Sequence, residues 1–142
     1  MARVYVSTVL PHTIDQVWHR IRDFNAMPDW HPNILESRIE GDEPADRVGC
    51  VRNFVLSPDV RIRERLLALS DRDFSFSYAI IESPVPVKNY VATLALRSVT
   101  MGKQTFAEWA AEFECDPNEQ EHLTNLVREF VFEAGLGGLV NP

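Results

Sequence analysis

The chain has 142 residues, of which 45% are hydrophobic and 25% are charged, and its formal net charge is −7. This length and composition are typical of one globular domain with a single core. The acidic balance argues against a nucleic-acid-binding surface, because phosphate contacts require clustered lysine and arginine. No apolar run approaches the roughly 20 residues of a membrane-spanning helix. The first residues lack the pattern of a secretory signal, so a cytoplasmic location is expected.

Cysteine and histidine usage predicts neither a disulfide nor a metal site. Cys50 and Cys115 fall on separate predicted strands without ligand-type spacing, which favours two reduced thiols. The four histidines are scattered, and no two of them share a face with acidic or thiol partners. Nucleotide fingerprints, phosphate loops and nucleophile motifs do not occur in the sequence, so no cofactor is expected.

The N-terminal part of the chain predicts a strand followed by two short helices. Ala2 to Leu10 is rich in valine and threonine, as strands are. Thr13 and Gln16 form a capping box at the start of a helix. Its apolar residues recur at helical spacing and comprise Ile14, Val17, Trp18 and Ile21. Residues 26–30 predict one more short turn of helix before Pro32.

Alternation of apolar and polar residues predicts six further strands joined by short polar turns. These strands are expected at residues 33–40, 47–56, 60–69, 74–81, 89–98 and 104–115. In the third of them, Glu64 lies on the same face as Ile62 and Leu66, whereas the neighbouring arginines take the other face. A carboxylate on an otherwise apolar face requires an explanation.

A long C-terminal helix is predicted from Asp116 onwards, with Asp116 as N-cap and Pro117 in the first helical position. Helical spacing then predicts one apolar face, formed by Leu123, Leu126, Val127, Phe130, Val131 and Ala134. Gly135, Gly137 and Gly138 either end this helix or mark a kink. The predicted fold is therefore α+β: a curled, seven-stranded antiparallel sheet around one long helix, with a cavity between them.

Several short motifs resemble the START-like (SRPBCC) superfamily, which includes polyketide cyclases, plant pathogenesis-related proteins and the abscisic acid receptors. The matching segments are Val17-Trp18, Trp30-x-Pro32, Arg47-Val48-Gly49-Cys50-x-Arg52, Glu64-Arg65-Leu66 and Asn89-Tyr90. They follow the family's order over nearly the whole chain and look most like the receptors and their bacterial polyketide cyclase/dehydrase-like relatives. The resemblance implies the helix-grip fold and a single START-like domain over residues 1–142.

The resemblance also implies where a ligand would bind. Glu64 and Tyr90 match positions that line the receptor cavity, and the positions of Tyr78, Ile80 and Val87 face the same cavity. The loop that gates the receptor cavity is several residues shorter in this chain.

Two receptor positions have lost their charge in this sequence. Leu35 stands where the receptors place a lysine that holds the hormone's carboxylate, and Ala111 stands where they place a second carboxylate. A cavity that keeps Glu64 without the lysine suits a neutral or cationic ligand better than an acid.

Strand parity and the helix face complete the candidate ligand-binding set. Its members are Leu35, Arg52, Leu56, Ile62, Glu64, Tyr78, Ile80, Val87, Tyr90, Ala92, Trp109, Ala111, Val127 and Phe130. Arg52 has the inward parity of Leu56, so it is a candidate ion-pair partner of Glu64. Three roles remain open for Glu64: lining a ligand cavity, a structural carboxylate paired with an arginine, and a general acid or base.

Three functions fit these features. The first is binding of a small, largely apolar or aromatic ligand in the cavity. The second is a polyketide-type cyclase, dehydratase or aromatase, with Glu64 moving protons and a tyrosine, Tyr90, steadying an enolate. The third is an interaction module whose cavity has collapsed. The fold class does not decide among them, and the sequence leaves both the ligand and homodimer formation open.

Overall fold

Seven antiparallel strands form one curled sheet in the computed structural model, which describes residues 1–141. The strands are β1 (Ala2–Leu10), β2 (Ile34–Ile39), β3 (Val51–Leu56), β4 (Val60–Ser70), β5 (Ser75–Glu82), β6 (Lys88–Val99) and β7 (Gln104–Glu114). Their order in the sheet is β1-β7-β6-β5-β4-β3-β2. Consecutive strands from β2 to β7 are therefore neighbours, and β1 pairs with the last strand, so the predicted seven-stranded antiparallel sheet is confirmed.

Two short helices connect β1 to β2: α1 (Ile14–Ile21) and α2 (Met27–Trp30). The predicted capping box is present at the start of α1. The backbone N–H of Gln16 donates to the Thr13 hydroxyl over 3.3 Å, and the Thr13 N–H donates to the Gln16 side chain over 3.0 Å. This satisfies two backbone donors that would otherwise lack partners.

The strand predicted at residues 47–56 is shorter than expected, because β3 begins only at Val51. The preceding residues form a turn in which the Cys50 N–H donates to the Arg47 carbonyl over 3.0 Å. Gly49 has a φ of 99° within this turn, a conformation that residues with a side chain avoid. The Gly49 N–H donates to the Leu66 carbonyl over 2.8 Å, and the Leu66 N–H donates to the Cys50 carbonyl over 2.9 Å. Gly49 and Cys50 therefore face one residue of β4 together, and the glycine forms a bulge at the entry to β3.

The C-terminal helix is continuous over residues 117–138. It consists of a 3₁₀ turn (Pro117–Glu119), α3 (Gln120–Asn125), a π-helical segment (Leu126–Glu133) and α4 (Ala134–Gly138). Gly135 and Gly137 therefore lie inside the helix, and Gly138 is its last residue. A Cβ at Gly135 would come within 2.7 Å of both His31 and Trp109, and one at Gly138 would overlap the Trp30 carbonyl. Their missing side chains allow the helix to approach α2 closely.

The buried face of this helix differs from the predicted one. The fully buried side chains Leu123, Val127, Phe132 and Leu136 follow one another at intervals of four, five and four residues. The interval of five falls in the π-helical segment, where i→i+5 hydrogen bonding fits more residues into each turn than an α-helix does. Phe132 consequently turns inward and stacks on Trp109 with ring centroids 4.5 Å apart.

Neither cysteine forms a disulfide, as predicted: Cys50 is a buried free thiol and Cys115 a partly buried one. Between residues 1 and 141, no set of three or more histidine, cysteine and carboxylate side chains is placed to hold a metal ion. The helices of the same part of the chain are too short or too polar to cross a membrane.

Candidate functional site

A small cavity of about 40 Å³ lies between the curled sheet and the C-terminal helix. This volume accommodates only a few water molecules. The cavity is lined by Met27, Ile34, Arg52, Phe54, Leu56, Ile62, Glu64, Tyr78, Ile80, Ser83, Val85, Val87, Tyr90, Trp109, Leu126, Val127 and Val131. Most of these side chains are apolar, and the polar ones include one carboxylate, one guanidinium and two phenolic hydroxyls.

The structure brings ten of the fourteen predicted site residues to this cavity. They are Arg52, Leu56, Ile62, Glu64, Tyr78, Ile80, Val87, Tyr90, Trp109 and Val127. They come from five strands, the β5–β6 loop and the helix, so the curling of the sheet is what assembles them.

The other four predicted residues do not line the cavity. Leu35 is 55% exposed, because a register shift between Ile34 and Glu36 in the β2–β3 pairing leaves it facing solvent. Phe130 is 36% exposed, because the π-helical segment rotates it away from the sheet. Ala92 and Ala111 are buried and pair with each other across β6 and β7, but neither lines the cavity.

Seven lining residues were missed by the sequence analysis: Met27, Ile34, Phe54, Ser83, Val85, Leu126 and Val131. Phe54 carried a usable signal, because it shares inward parity with the predicted residues of its strand. Leu126 and Val131 belonged to the predicted apolar helix face. Ser83 and Val85 lie in the loop between β5 and β6, where no periodicity indicates which side chains point inward.

The centre of the cavity holds a buried ion pair between Arg52 and Glu64. The β3–β4 register places these residues directly opposite each other. Glu64 Oε1 lies 2.9 Å from Arg52 Nε and 2.8 Å from Arg52 Nη2. The Arg52 side chain is only 1% exposed and the Glu64 side chain 7%. Removal of two charges from water is costly, so such a pair persists only when both partners are present and well placed.

The remaining contacts of Arg52 hold its guanidinium against the protein. Its Nη1 donates to the Phe24 carbonyl over 3.2 Å. Its Cζ atom lies 3.9 Å from the centre of the Phe24 ring and 4.6 Å from that of Tyr78, which gives two cation–π contacts. Three of the five N–H groups of Arg52 are therefore directed to Glu64 and to the backbone.

Glu64 keeps unused hydrogen-bonding capacity beside the cavity. Both close contacts with Arg52 are made by Oε1, and Oε2 accepts no hydrogen bond from any group within residues 1–141. Within the same residues, the side-chain polar atoms that lack both a partner and solvent contact are Asn25 Oδ1, Trp30 Nε1 and Ser37 Oγ. Glu64 Oε2 is not one of them, so it keeps some accessible surface. It is therefore an acceptor that a molecule in the cavity can reach.

Two tyrosine hydroxyls lie near this carboxylate. The Tyr78 hydroxyl accepts a hydrogen bond from Trp109 Nε1 over 3.0 Å, and the Tyr90 hydroxyl has no partner among residues 1–141. Burial raises the pKa of both tyrosines, so both hydroxyls are protonated and available as donors. Burial also raises the pKa of Glu64, against the opposing effect of the Arg52 guanidinium.

His31 fixes the π-helical segment over the cavity. Its Nε2 lies 2.7 Å from the Val131 carbonyl, and its Nδ1 accepts the backbone N–H of Asn33 over 3.2 Å. The Asn33 side chain donates to the Phe130 carbonyl over 2.8 Å. Burial lowers the pKa of His31 to about 4, so the imidazole is neutral, with its proton on Nε2. Its role is to position the helix.

A larger groove opens on the outside of the same end of the molecule. Its volume is about 570 Å³, and it shares Leu56, Val85 and Leu126 with the inner cavity. Its other lining residues are Asn33, Ser57, Pro58, Val60, His122, Asn125, Glu129 and Phe130. Three aliphatic side chains thus separate a small inner cavity from a large outer groove.

A family model described as polyketide cyclase/dehydrase and lipid transport matches residues 1–141. The chain belongs to this family. The match covers the whole structure described above, including the sheet, the C-terminal helix and every residue of the inner cavity.

Solved structures share the START-like, helix-grip fold of this chain. The chain is 30% identical to the protein XoxI from Bacillus cereus, covering 98% of this chain and 93% of that one, with a TM-score of 0.86. It is 25% identical to a protein from Thermobifida fusca, covering 99% and 91%, with a TM-score of 0.89. A START superfamily protein from Mycobacterium smegmatis, 11% identical and covering 99% and 95% with a TM-score of 0.79, shares the fold.

Proposed function

We propose that this family member binds a small, largely apolar ligand whose single polar head group enters the inner cavity and hydrogen-bonds to Glu64 and Tyr90. The observation that carries the proposal is the unused acceptor Oε2 on a buried carboxylate, in a cavity with otherwise apolar walls. Buried polar groups in native proteins nearly always have a partner. A ligand head group, or water in its absence, supplies that partner here.

The charges around the cavity favour a neutral or cationic head group. A hydroxyl can donate to Glu64 Oε2 and accept from Tyr90, and an ammonium group can donate to the same carboxylate. An anionic head group would meet the Glu64 carboxylate and an arginine whose charge is already paired with Glu64, with three of its five N–H groups used by Glu64 and the Phe24 carbonyl. Desolvation of a third charge without a free partner is unfavourable.

Catalysis by the same cluster, as in a polyketide-type cyclase or dehydratase, is a second candidate function. The raised pKa of Glu64 favours it, because a carboxyl group that exchanges protons near neutral pH needs such a rise. The ion pair with Arg52 opposes it by holding Glu64 in its charged form. Turnover assays on compounds that bind are the test of this candidate.

Binding can be tested with three probes that share one tail: 1-octanol, octylamine and sodium octanoate. Thermal denaturation of the wild-type protein is measured at increasing probe concentration, because a ligand that binds only the folded state raises its stability. We expect stabilisation by octanol and octylamine and none by octanoate. Glu64→Gln keeps the shape of the side chain and removes its charge, so it should weaken the binding of octanol and octylamine about ten- to hundredfold.

Glu112→Gln is the matched control, since it removes one carboxylate from an exposed position paired with Arg3. This variant should respond to each of the three probes as the wild type does: octanol and octylamine should stabilise it, and octanoate should not. The proposal fails if no probe stabilises the wild type and Glu64→Gln only lowers the melting temperature. Glu64 would then be structural, and an interaction module with a collapsed cavity would become the preferred function.

A further inference from the structure

The inner cavity is too small to hold a whole ligand. Its volume is about 40 Å³, whereas sites for small organic molecules have volumes on the order of 300–1,000 Å³. The aromatic stack of Trp109 and Phe132 occupies neighbouring space between the sheet and the helix, so the cavity cannot extend in that direction without loss of core packing. Only a head group of a few heavy atoms fits.

The outer groove has the volume that the inner cavity lacks. Its value of about 570 Å³ falls within the usual range for ligand sites. Its apolar walls include Pro58 and Val60 from the β3–β4 turn region and Phe130 from the helix. Phe130 is among the large hydrophobic side chains that remain exposed, at 36% of its surface. Burial of such a side chain against an apolar group is favourable.

The constriction between the two spaces is formed by flexible aliphatic side chains. Leu56 ends β3, Val85 lies in the β5–β6 loop, and Leu126 begins the π-helical segment. Val85 and Leu126 are only partly buried, so they can change rotamer without opening the core. We expect a gap opened by such rotamer changes to favour a narrow chain over a wide ring system.

We infer that the ligand is an elongated amphiphile: its head group occupies the inner cavity, and its unbranched apolar tail passes between Leu56, Val85 and Leu126 and lies in the outer groove against Phe130. This inference rests on the proposed function and adds the shape class of the ligand. It makes Phe130 a binding residue through the groove, although the π-helical segment turns it away from the inner cavity.

A series of alcohols tests the length of the site. Dissociation constants of 1-butanol, 1-hexanol and 1-octanol are measured by NMR titration of the ¹⁵N-labelled protein. If the tail lies in the groove, each pair of added methylenes should tighten binding roughly tenfold. The compact cage alcohol 1-adamantanol should bind at least about tenfold more weakly than 1-octanol. A dissociation constant that stops falling after butanol, or equal binding of adamantanol and octanol, overturns the inference.

Phe130→Ala locates the tail. It should weaken octanol binding about five- to tenfold and leave butanol binding unchanged, because only the longer chain reaches the groove. Tyr5→Ala is the matched control, since Tyr5 is an aromatic residue of β1 that is 56% exposed and lies outside both spaces. Octanol binding that is insensitive to Phe130→Ala also overturns the inference and leaves the groove to another occupant, such as a partner protein.

The two proposals fail in different ways. If butanol and octanol bind equally well to the wild type and Glu64→Gln weakens both, the head-group site stands and the elongated shape is wrong. If no alcohol binds, or if Glu64→Gln has no effect on any of them, the proposed function itself is wrong.

Discussion

The buried imidazole of His31 should make the fold sensitive to mild acid. The pKa of His31 is about 4 in the folded protein, against 6.5 for an unperturbed histidine, and burial is the main cause. The unfolded chain therefore binds a proton more readily than the folded one. Stability from this group is fully present above about pH 6.5 and is lost as the pH falls from 6.5 towards 4.

The size of this effect follows from the two pKa values. At about 1.4 kcal/mol per pH unit, the difference between 6.5 and about 4 corresponds to about 3 kcal/mol once the pH is below both values. Between pH 7 and pH 5, the expected loss is about 2 kcal/mol. Protonation would also place a second cation near Arg52, whose charge already contributes to the low pKa.

Urea denaturation of the wild type and of His31→Gln at pH 7 and pH 5 measures this contribution. Glutamine does not titrate and can still offer an amide N–H to the Val131 carbonyl. We expect His31→Gln to be less stable than the wild type at pH 7 and to lose about 2 kcal/mol less than the wild type on acidification.

The contributions of other titrating groups to the pH dependence of stability cancel in this comparison, because both proteins contain these groups. The pKa of Glu40 is lowered to about 2, chiefly by its hydrogen bonds with Arg63, so its contribution is lost only below about pH 4.5. The raised pKa of Glu64 acts in the opposite direction to His31. An identical pH dependence in the two proteins would refute the argument that His31 is buried in its neutral form.

Two further predictions concern the helix. Phe132→Ala should destabilise the protein by about 3–5 kcal/mol, because it removes a fully buried ring from the aromatic stack, whereas Phe130→Ala should cost less than about 1 kcal/mol. Equal costs in urea denaturation would mean that the π-helical register is wrong. Gly138→Ala should cost about 1–3 kcal/mol, because its methyl group would overlap a backbone carbonyl. A Cβ at Gly137 would meet open space, so Gly137→Ala should be neutral or stabilising by up to about 1 kcal/mol. A thermal melt in which Gly138→Ala is the more stable of these two variants would contradict the close contact between the helix and α2.

The local elements of this protein could be predicted from the sequence because their signals are local. The capping box of Thr13 and Gln16 predicted the start of α1. Residue composition predicted the first strand and alternation the other six, all within a few residues of their observed bounds. Side-chain parity also placed Glu64 and Arg52 on the inward face of their strands. These features depend on neighbours one to four residues apart, which is the range that periodicity describes.

Features that depend on hydrogen-bond register could not be predicted in this way. Leu35 was assigned to the cavity because it matches the position of a receptor lysine, and the register shift beside it leaves it facing solvent. Phe130 was assigned to the buried helix face because an α-helical repeat was assumed, and the π-helical segment gave that place to Phe132. In both cases, one extra residue within a turn or pairing redirects the side chains that follow.

The sequence by itself determined the fold class, the order of the strands along the chain and the inward face of the strands other than β2. Tertiary structure alone decided that Glu64 is neutralised by Arg52, that one of its carboxylate oxygens remains free, and that the enclosed cavity is small and opens toward a larger groove. The physical reason is that pairing, burial and volume are properties of side chains that are distant in sequence. Their values are set only when the sheet curls around the helix.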